Sequence, residues 1–336
     1  MSDMLQHDPQ VTMVAANPPD ASIETRPPTS QADAEPPRRS SRRRPWRARV
    51  GARLRRFMEV GPVRAGRVLL PYGVGVRLQR ALVAQPAMRR HYAKELGLLR
   101  QWAEAIGANT PSEELYTISL LANTWRIWRA KALAQPGVLG TWVQVRDPGR
   151  HLLGPADGKA GTIIALPHVG TLVSPLCWLC AQYGRETAAV TNTRMGGVLG
   201  TAEREKRQLA ARTEMLWHAQ EVLRRGGIVF IPADNMQRVR SIDMPFWGRR
   251  RPFRLGTAEL ALTTGAALVP TYPRFDAHGR LWIEVTAPLS APPAAPEDQM
   301  IALTRHYAAD FAARWPQFFA SANWAELDIT LRLPSM

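Results

Sequence analysis

The sequence predicts an α/β domain over residues 139–330, because strand-like and helical segments alternate through that part of the chain. Several apolar runs are uninterrupted by charge, as in strands that are buried on both faces, and Gly or Pro turn signals separate them from amphipathic segments. The predicted strands cover residues 142–145, 162–166, 188–191, 228–232, 268–273 and 281–287. The predicted helices cover residues 172–183, 203–225 and 256–264. This alternation predicts a sheet flanked by helices.

Two further regions precede this domain. Residues 1–45 contain eight prolines and few apolar side chains, so we expect a disordered Pro/Arg-rich tail. Residues 46–138 form a predicted helical region, with a helical pattern over residues 89–133 that is broken around residues 107–111.

The distribution of positive charge indicates which kinds of partner the chain could bind. The formal net charge is +16, and ten arginines lie between Arg38 and Arg56 next to Trp46 and Phe57. Such a run is typical of a solvated arm, of a nucleic-acid arm or of an anionic membrane anchor. The longest uncharged run nearby, residues 68–76, is far shorter than the ~20 apolar residues of a spanning helix. We therefore expect residues 46–138 to lie on a membrane surface rather than to cross it, with an ordinary pair of surface helices of the domain as the alternative.

The two cysteines, Cys177 and Cys180, lie inside an apolar helical pattern without further metal ligands nearby. We interpret them as core residues, and without a disulfide framework or a cleavable signal we expect a cytoplasmic location. No phosphate-binding loop or metal-ligand spacing is found, so neither a cofactor nor a metal is predicted.

Polar residues follow three of the predicted strands. His168 and Asp234 come two residues after strands 162–166 and 228–232, and Arg194 follows strand 188–191. Ligands and catalytic groups collect at the carboxyl ends of strands in open α/β sheets. A histidine base, a cation and a carboxylate there could deprotonate a hydroxyl and bind a negatively charged group.

Five blocks in order resemble the bacterial lipid A biosynthesis (late) acyltransferase family. They are Pro167-His168-Val169-Gly170, residues 226–235, residues 244–248, residues 256–270, and residues 315–324. The resemblance implies a mixed sheet flanked by helices, as in glycerolipid acyltransferases. It implies transfer of a fatty acyl group from acyl carrier protein or coenzyme A to a lipid or glycolipid acceptor. It also implies a peripheral location at the cytoplasmic side of the inner membrane.

One departure from the family pattern concerns catalysis. The family places an Asp or Glu five residues after the histidine, where this chain has Val173, which cannot hydrogen-bond an imidazole. We predict that Asp234 replaces this acid, within roughly 3 to 5 Å of His168. The catalytic residues are therefore predicted to be His168 and Asp234.

Substrate contacts are predicted from charge and apolarity. Arg194, Arg251 and Arg254 are predicted to bind phosphate of the acceptor or of the phosphopantetheine donor, although a solvated charged loop is the favoured alternative for the arginines of residues 249–254. Trp178 and Phe246 are predicted to line an acyl-chain groove, with plain core packing as the alternative.

Two other functions stay open at this level. A catalytically impaired relative could bind lipid as a scaffold, because Val173 replaces the family's acid. A nucleic-acid-binding protein is the weakest alternative, since no nucleic-acid-binding motif accompanies the arginines, and no specific nucleic-acid partner is expected.

Overall fold

The structure is a computed structural model that describes residues 70–124, 129, 132–133, 137–154, 161–168, 184–190, 211–234, 236 and 240–336. Its helices are α1 (Tyr72–Val83), α2 (Pro86–His91), α3 (Ala93–Ala105), α4 (Ser112–Asn123), α5 (Val138–Trp142), α6 (Ala211–Arg224), α7 (Gly256–Thr264), α8 (Pro296–Phe318) and α9 (Trp324–Leu331). Its strands are β1 (Val143–Arg146), β2 (Thr162–Leu166), β3 (Thr187–Ala189), β4 (Ile228–Pro232), β5 (Ser241–Phe246), β6 (Arg249–Arg254), β7 (Ala267–Phe275) and β8 (Leu281–Val285). A 3₁₀ turn, Phe319–Ser321, joins α8 to α9.

Six strands form one mixed sheet in the order β1-β8-β7-β2-β4-β3. Strand β2 runs parallel to both β4 and β7, and β3 runs parallel to β4. Strand β8 pairs antiparallel with β7 and parallel with β1. Strands β5 and β6 form a separate antiparallel hairpin. The parallel core brings the carboxyl ends of β2, β3 and β4 to one edge.

The two central strands are buried because their residues are almost entirely apolar. Every residue of β2 is buried, as are four of the five residues of β4. The strands begin next to the end of α6, where Gly161 and Gly227 lie against its last turn. A Cβ on Gly161 would lie 2.7 Å from the Leu223 Cα, so only glycine permits this approach.

Helix α8 supplies much of the aromatic core. The Trp315 ring lies 5.1 Å from the Trp102 ring of α3 and 5.3 Å from the Phe246 ring of β5. Phe311 also packs against Phe246, at 5.5 Å between ring centres. These contacts join α3, α8 and the β5–β6 hairpin around one apolar cluster.

Helix α1 has one buried face and one exposed face. Tyr72, Val76 and Val83 are buried in the same core, and the Tyr72 hydroxyl donates to the Gly279 carbonyl at 2.7 Å. Val74 and Leu78, on the opposite face, are 47% and 45% exposed. Within the described part of the chain, no helix is both long and apolar enough to traverse a membrane.

The predicted fold class is confirmed, since the sheet is mixed and flanked by helices. Two predictions about local structure were wrong or incomplete. Residues 249–254, expected as a charged loop, form strand β6, and the 23-residue helix α8 was not predicted. The tail 1–45, residues 46–69, helix 172–183 and both cysteines lie outside the described residues. The boundaries near residues 45 and 138 stay predictions.

Candidate active site

Strand register places His168 beside Asp234. Leu166 of β2 and Pro232 of β4 are partners in the parallel ladder, and the Ala233 N–H donates to the Leu166 carbonyl at 2.9 Å. His168 and Asp234 each follow by two residues. Because parallel strands in register end at the same level, both side chains begin at the same point of the sheet edge.

Two hydrogen bonds join His168 to Asp234. The His168 Nδ1 is bonded to the Asp234 Oδ1, and the His168 backbone N–H donates to Oδ2 at 2.9 Å. The carboxylate is 1% exposed, whereas the imidazole is 41% exposed. When Nδ1–H donates to the carboxylate, the neutral imidazole carries its free lone pair on Nε2. The predicted contact between these residues is therefore confirmed.

The pair strongly favours a protonated imidazole. The Asp234 charge raises the pKa of His168 to about 9, although burial and the Arg251 guanidinium oppose this shift. Burial acts to raise the pKa of Asp234, but the charge and hydrogen bonds of His168, together with Arg251, lower that pKa below its usual value. The carboxylate is thus ionised, and it can stabilise an imidazolium formed by proton transfer.

A second layer of charge lies behind the pair. The fully buried Arg251 of β6 donates from Nη2 to the Asp234 carbonyl at 2.9 Å and to the Glu326 carboxylate of α9. Its Nη1 donates to the Thr330 hydroxyl at 3.0 Å. Arg251 therefore connects the dyad to helix α9.

The start of α9 is itself bonded to the histidine segment. The Asn323 N–H donates to the His168 carbonyl at 3.3 Å, while the Asn323 side chain accepts from the Ala325 N–H at 3.0 Å as the helix N-cap. The buried Asn123 of α4 donates to the Ala322 carbonyl at 2.8 Å and accepts from the Trp324 N–H at 3.2 Å. The chain before α9 is thus held from two sides.

The ligand atoms of His168, Asp234 and Glu326 lie within 4.8 Å of one another, a spacing that could hold a metal ion. The Arg251 guanidinium already contacts both carboxylates. A divalent cation would have to compete with this buried positive charge, so the group fits an ion-pair network better than a metal site.

The chain matches a family of known proteins. The model of the bacterial lipid A biosynthesis acyltransferases matches residues 140–319, which is more than half of the chain. The chain belongs to this family. Its enzymatic activity is acyl transfer of the lipid or glycolipid type.

A curated relative and a solved structure accompany the family match. The phosphatidylinositol mannoside acyltransferase of Mycolicibacterium smegmatis is 27% identical over 284 residues, covering 76% of this chain and 92% of that protein. The 1-acyl-sn-glycerophosphate acyltransferase PlsC of Thermotoga maritima is 15% identical, with a TM-score of 0.35, covering 73% of this chain and 96% of that one.

Two predicted substrate contacts of the acyltransferase need correction. Arg251 and Phe246 are both 0% exposed, so neither side chain is accessible to a substrate in this structure. Phe246 packs against Trp102 and Trp315, which is the core-packing alternative. Arg251 instead neutralises buried carboxylates, which explains why an arginine occupies an interior position.

The substrate contacts predicted for Arg254, Arg194 and Trp178 stay predictions. Arg254 is half-buried at the end of β6, where it pairs with Ser241 across the hairpin. Arg194 and Trp178 lie outside the described residues, as does Val173.

Sequence reasoning missed Glu326 and Thr330. The resemblance covered Asn323 and Trp324, the latter two residues before Glu326, but nothing local marks a carboxylate on α9 as a partner of an arginine 75 residues earlier. The sequence of β6 gave no signal either, because Arg251 lies between Arg250 and Pro252 in an arginine-rich run.

Proposed function

We propose that this acyltransferase moves a fatty acyl group from an acyl carrier protein or coenzyme A thioester to a hydroxyl of a lipid or glycolipid, with His168 as general base. The observation that carries the proposal is the His168–Asp234 pair, which supplies an oriented, half-exposed imidazole at the sheet edge. The acid that the family has five residues after its histidine is absent here, and Asp234 can take its part.

The reaction follows from the orientation of the ring. With Nδ1–H bonded to Asp234, the Nε2 lone pair accepts the proton of the acceptor hydroxyl as its oxygen attacks the thioester carbonyl. A carbon–oxygen bond forms and the carbon–sulfur bond breaks. The imidazolium returns its proton to the departing thiolate, so the enzyme leaves the cycle unchanged.

The acceptor is proposed from the curated relative. That relative is a phosphatidylinositol mannoside acyltransferase. A phosphorylated glycolipid of this kind is the first acceptor to test, and a lipid A precursor is the second. Arg254 and Arg194 remain candidates for contacts with its phosphate.

The site of action is proposed to be the cytoplasmic surface of the inner membrane. Val74 and Leu78 are exposed on α1, and Arg77 and Arg80 are exposed on the same helix. Apolar side chains next to arginines are typical of a helix that lies in the headgroup region. The arginine-rich residues 38–56 add attraction for anionic lipid, worth about 1 kcal/mol per basic residue at the surface.

The test is acyl transfer from labelled palmitoyl thioesters of acyl carrier protein and of coenzyme A to each acceptor, with product identified by mass spectrometry. His168→Ala should lose transfer, and His306→Ala, which removes an exposed histidine bonded to the Ser290 carbonyl, should retain it. Equal transfer by both variants would refute the role of His168. Binding of thioester and acceptor without any turnover by the wild type would favour the scaffold alternative.

A further inference from the structure

The surroundings of Arg251 are built to hold one guanidinium in one orientation. Its charge lies over the rings of Phe246, Phe253 and Phe311, with 5.1, 5.5 and 4.8 Å from the guanidinium carbon to the ring centres. The side chain is 0% exposed. Aromatic faces attract a cation and exclude water, so the guanidinium cannot rotate away to solvent.

The same guanidinium contacts Asp234 twice. Nη2 donates to the Asp234 backbone carbonyl at 2.9 Å and lies 3.5 Å from its Oδ2, the atom that accepts from the His168 N–H. The backbone and the carboxylate of Asp234 are thereby fixed relative to each other. Rotation of the carboxylate away from His168 would break the contact between Nη2 and Oδ2 and the bond from the His168 N–H.

Glu326 completes the charge balance. It accepts from Arg251, and its ligand oxygen lies within 4.8 Å of those of His168 and Asp234. Thr330, one helical turn later, donates to the Glu326 carbonyl at 2.7 Å and accepts from Arg251. Burial raises the pKa of Glu326 above its usual value and the Arg251 guanidinium opposes this, so the second negative charge that helix α9 brings to the dyad depends on the ion pair with Arg251.

Among the residues that the structure describes, the charged and titratable groups around the dyad come from four other parts of the chain. They are Asp234 after β4, Arg251 on β6, Glu326 on α9 and Tyr307 on α8. Tyr307 interacts with Asp234 and Arg251 and acts on His168 only through them. Burial raises the pKa of Tyr307 well above its usual value, so this phenol stays neutral. Two negative charges and one positive charge thus act on the imidazole.

We infer that Arg251 and Glu326 are positioning residues of the acyltransferase, which fix the Asp234 carboxylate and set, with opposite signs, how readily His168 holds its proton. The inference rests on the proposed role of His168 as base. Arg251 favours the neutral imidazole that the reaction needs, and Glu326 favours the imidazolium. Catalysis at neutral pH therefore depends on a residue that never touches substrate.

The test compares the titration of the His168 imidazole, followed by NMR of ¹³C-labelled histidine, in the wild type and two variants. His168→Gln identifies the resonance among the seven histidines. Arg251→Met should raise the pKa of His168, and Glu326→Gln should lower it, each by roughly one unit or more. Because this measurement needs no turnover, it is independent of whether the proposed reaction is found.

Two controls separate charge from simple disruption. Thr330→Val removes a hydrogen bond of Arg251 without changing charge, so its effect on the titration should be much smaller than that of Arg251→Met or Glu326→Gln. Arg314→Met removes an arginine that is paired with Asp310 and Glu284 and lies over the Tyr272 ring, and should leave the titration unchanged. If Arg251→Met does not fold, Glu326→Gln alone retains the signed expectation, because glutamine keeps the shape of glutamate.

The activity of the same variants gives the second measurement. The acidic limb of the kcat/KM profile should move to higher pH in Arg251→Met and to lower pH in Glu326→Gln. Arg251→Lys should restore the position of this limb on the pH axis more fully than it restores the value of kcat. Shifts of the same sign in both variants, or none in folded protein, would overturn the inference. If the wild type shows no acyl transfer, but the titration of His168 still shifts in opposite directions in the two variants, the proposed function is overturned instead.

Discussion

The Asn323 backbone N–H donates to the carbonyl of His168, so the residue that begins α9 is bonded to the proposed base. Asn323 also caps α9, and Asn123 holds the residues on either side of it. The C-terminal helix is therefore part of the active-site framework, because its Glu326 reaches Arg251 only if the start of the helix stays in place.

Replacing Asp234 should impair catalysis more than folding. An asparagine keeps the shape but can donate to Nδ1 and so favour the wrong tautomer of His168, and turnover should fall by about 10²-fold or more. Steady-state transfer measures the effect, with Asp243→Asn, an exposed aspartate of β5, as the matched control. Full activity of Asp234→Asn would exclude Asp234 as the dyad acid.

The rate should depend on pH through His168. Its pKa is raised to about 9, chiefly by the Asp234 charge, and the base must be unprotonated to accept a proton. We expect kcat/KM to increase tenfold per pH unit below this pKa and to level off above it. A profile already flat at pH 7, after subtraction of thioester hydrolysis without enzyme, would contradict this expectation.

Stability should show the opposite dependence on pH. The folded pKa of His168, about 9, lies above its ordinary value of 6.5, so protonation stabilises the fold fully below 6.5 and the contribution is lost as pH rises through 9. The difference in unfolding free energy between wild type and His168→Ala should shrink over this interval. Urea denaturation at several pH values measures this difference in unfolding free energy. A difference that does not change with pH would contradict an ion pair between His168 and Asp234.

Removing the amide of Asn123 should destabilise the protein. The buried side chain makes hydrogen bonds to Ser119, Ala322 and Trp324, and its loss leaves backbone groups near α9 without these partners. We expect Asn123→Ala to cost about 2 kcal/mol of unfolding free energy, measured by urea denaturation. Asn109→Ala, at an exposed position, should cost nothing measurable. Equal stability of the two variants would disprove the structural role of Asn123.

Membrane attachment should depend on the basic N-terminal residues. Ten arginines lie between positions 38 and 56, so deletion of residues 1–57 should weaken binding to anionic vesicles in a sedimentation assay. Added salt should weaken binding of the full chain, and neutral vesicles serve as the control. Unchanged binding after the deletion would leave α1 as the remaining candidate surface.

The dyad could be predicted from sequence because it depends on local patterns and one topological rule. Each of two apolar strands is followed by a polar residue, two positions after the last residue of the strand. Because the two strands are parallel neighbours, these two polar residues lie close together. The pattern identified His168 and Asp234 without any knowledge of the intervening chain.

The second layer could not be predicted in this way. Strand β6 begins with three arginines and contains Pro252, a pattern that indicates a solvated loop. Arg251 is nevertheless buried, because Glu326 and Phe311 come from distant segments and complete, with Phe246 and Phe253 of its own hairpin, the surroundings of its guanidinium. Its interior position is a property of the tertiary structure, since the partners that compensate its charge lie together only in the folded chain.

The buried strands β2 and β4 also determine how the dyad behaves during fluctuations. Backbone amides in doubly covered central strands exchange with solvent only in openings that approach global unfolding, whereas exposed helices open far more often. His168 and Asp234 follow directly from these strands, so the proton-transfer geometry should persist through partial openings of the periphery. The end of a buried neighbouring strand is therefore a durable position for the dyad acid.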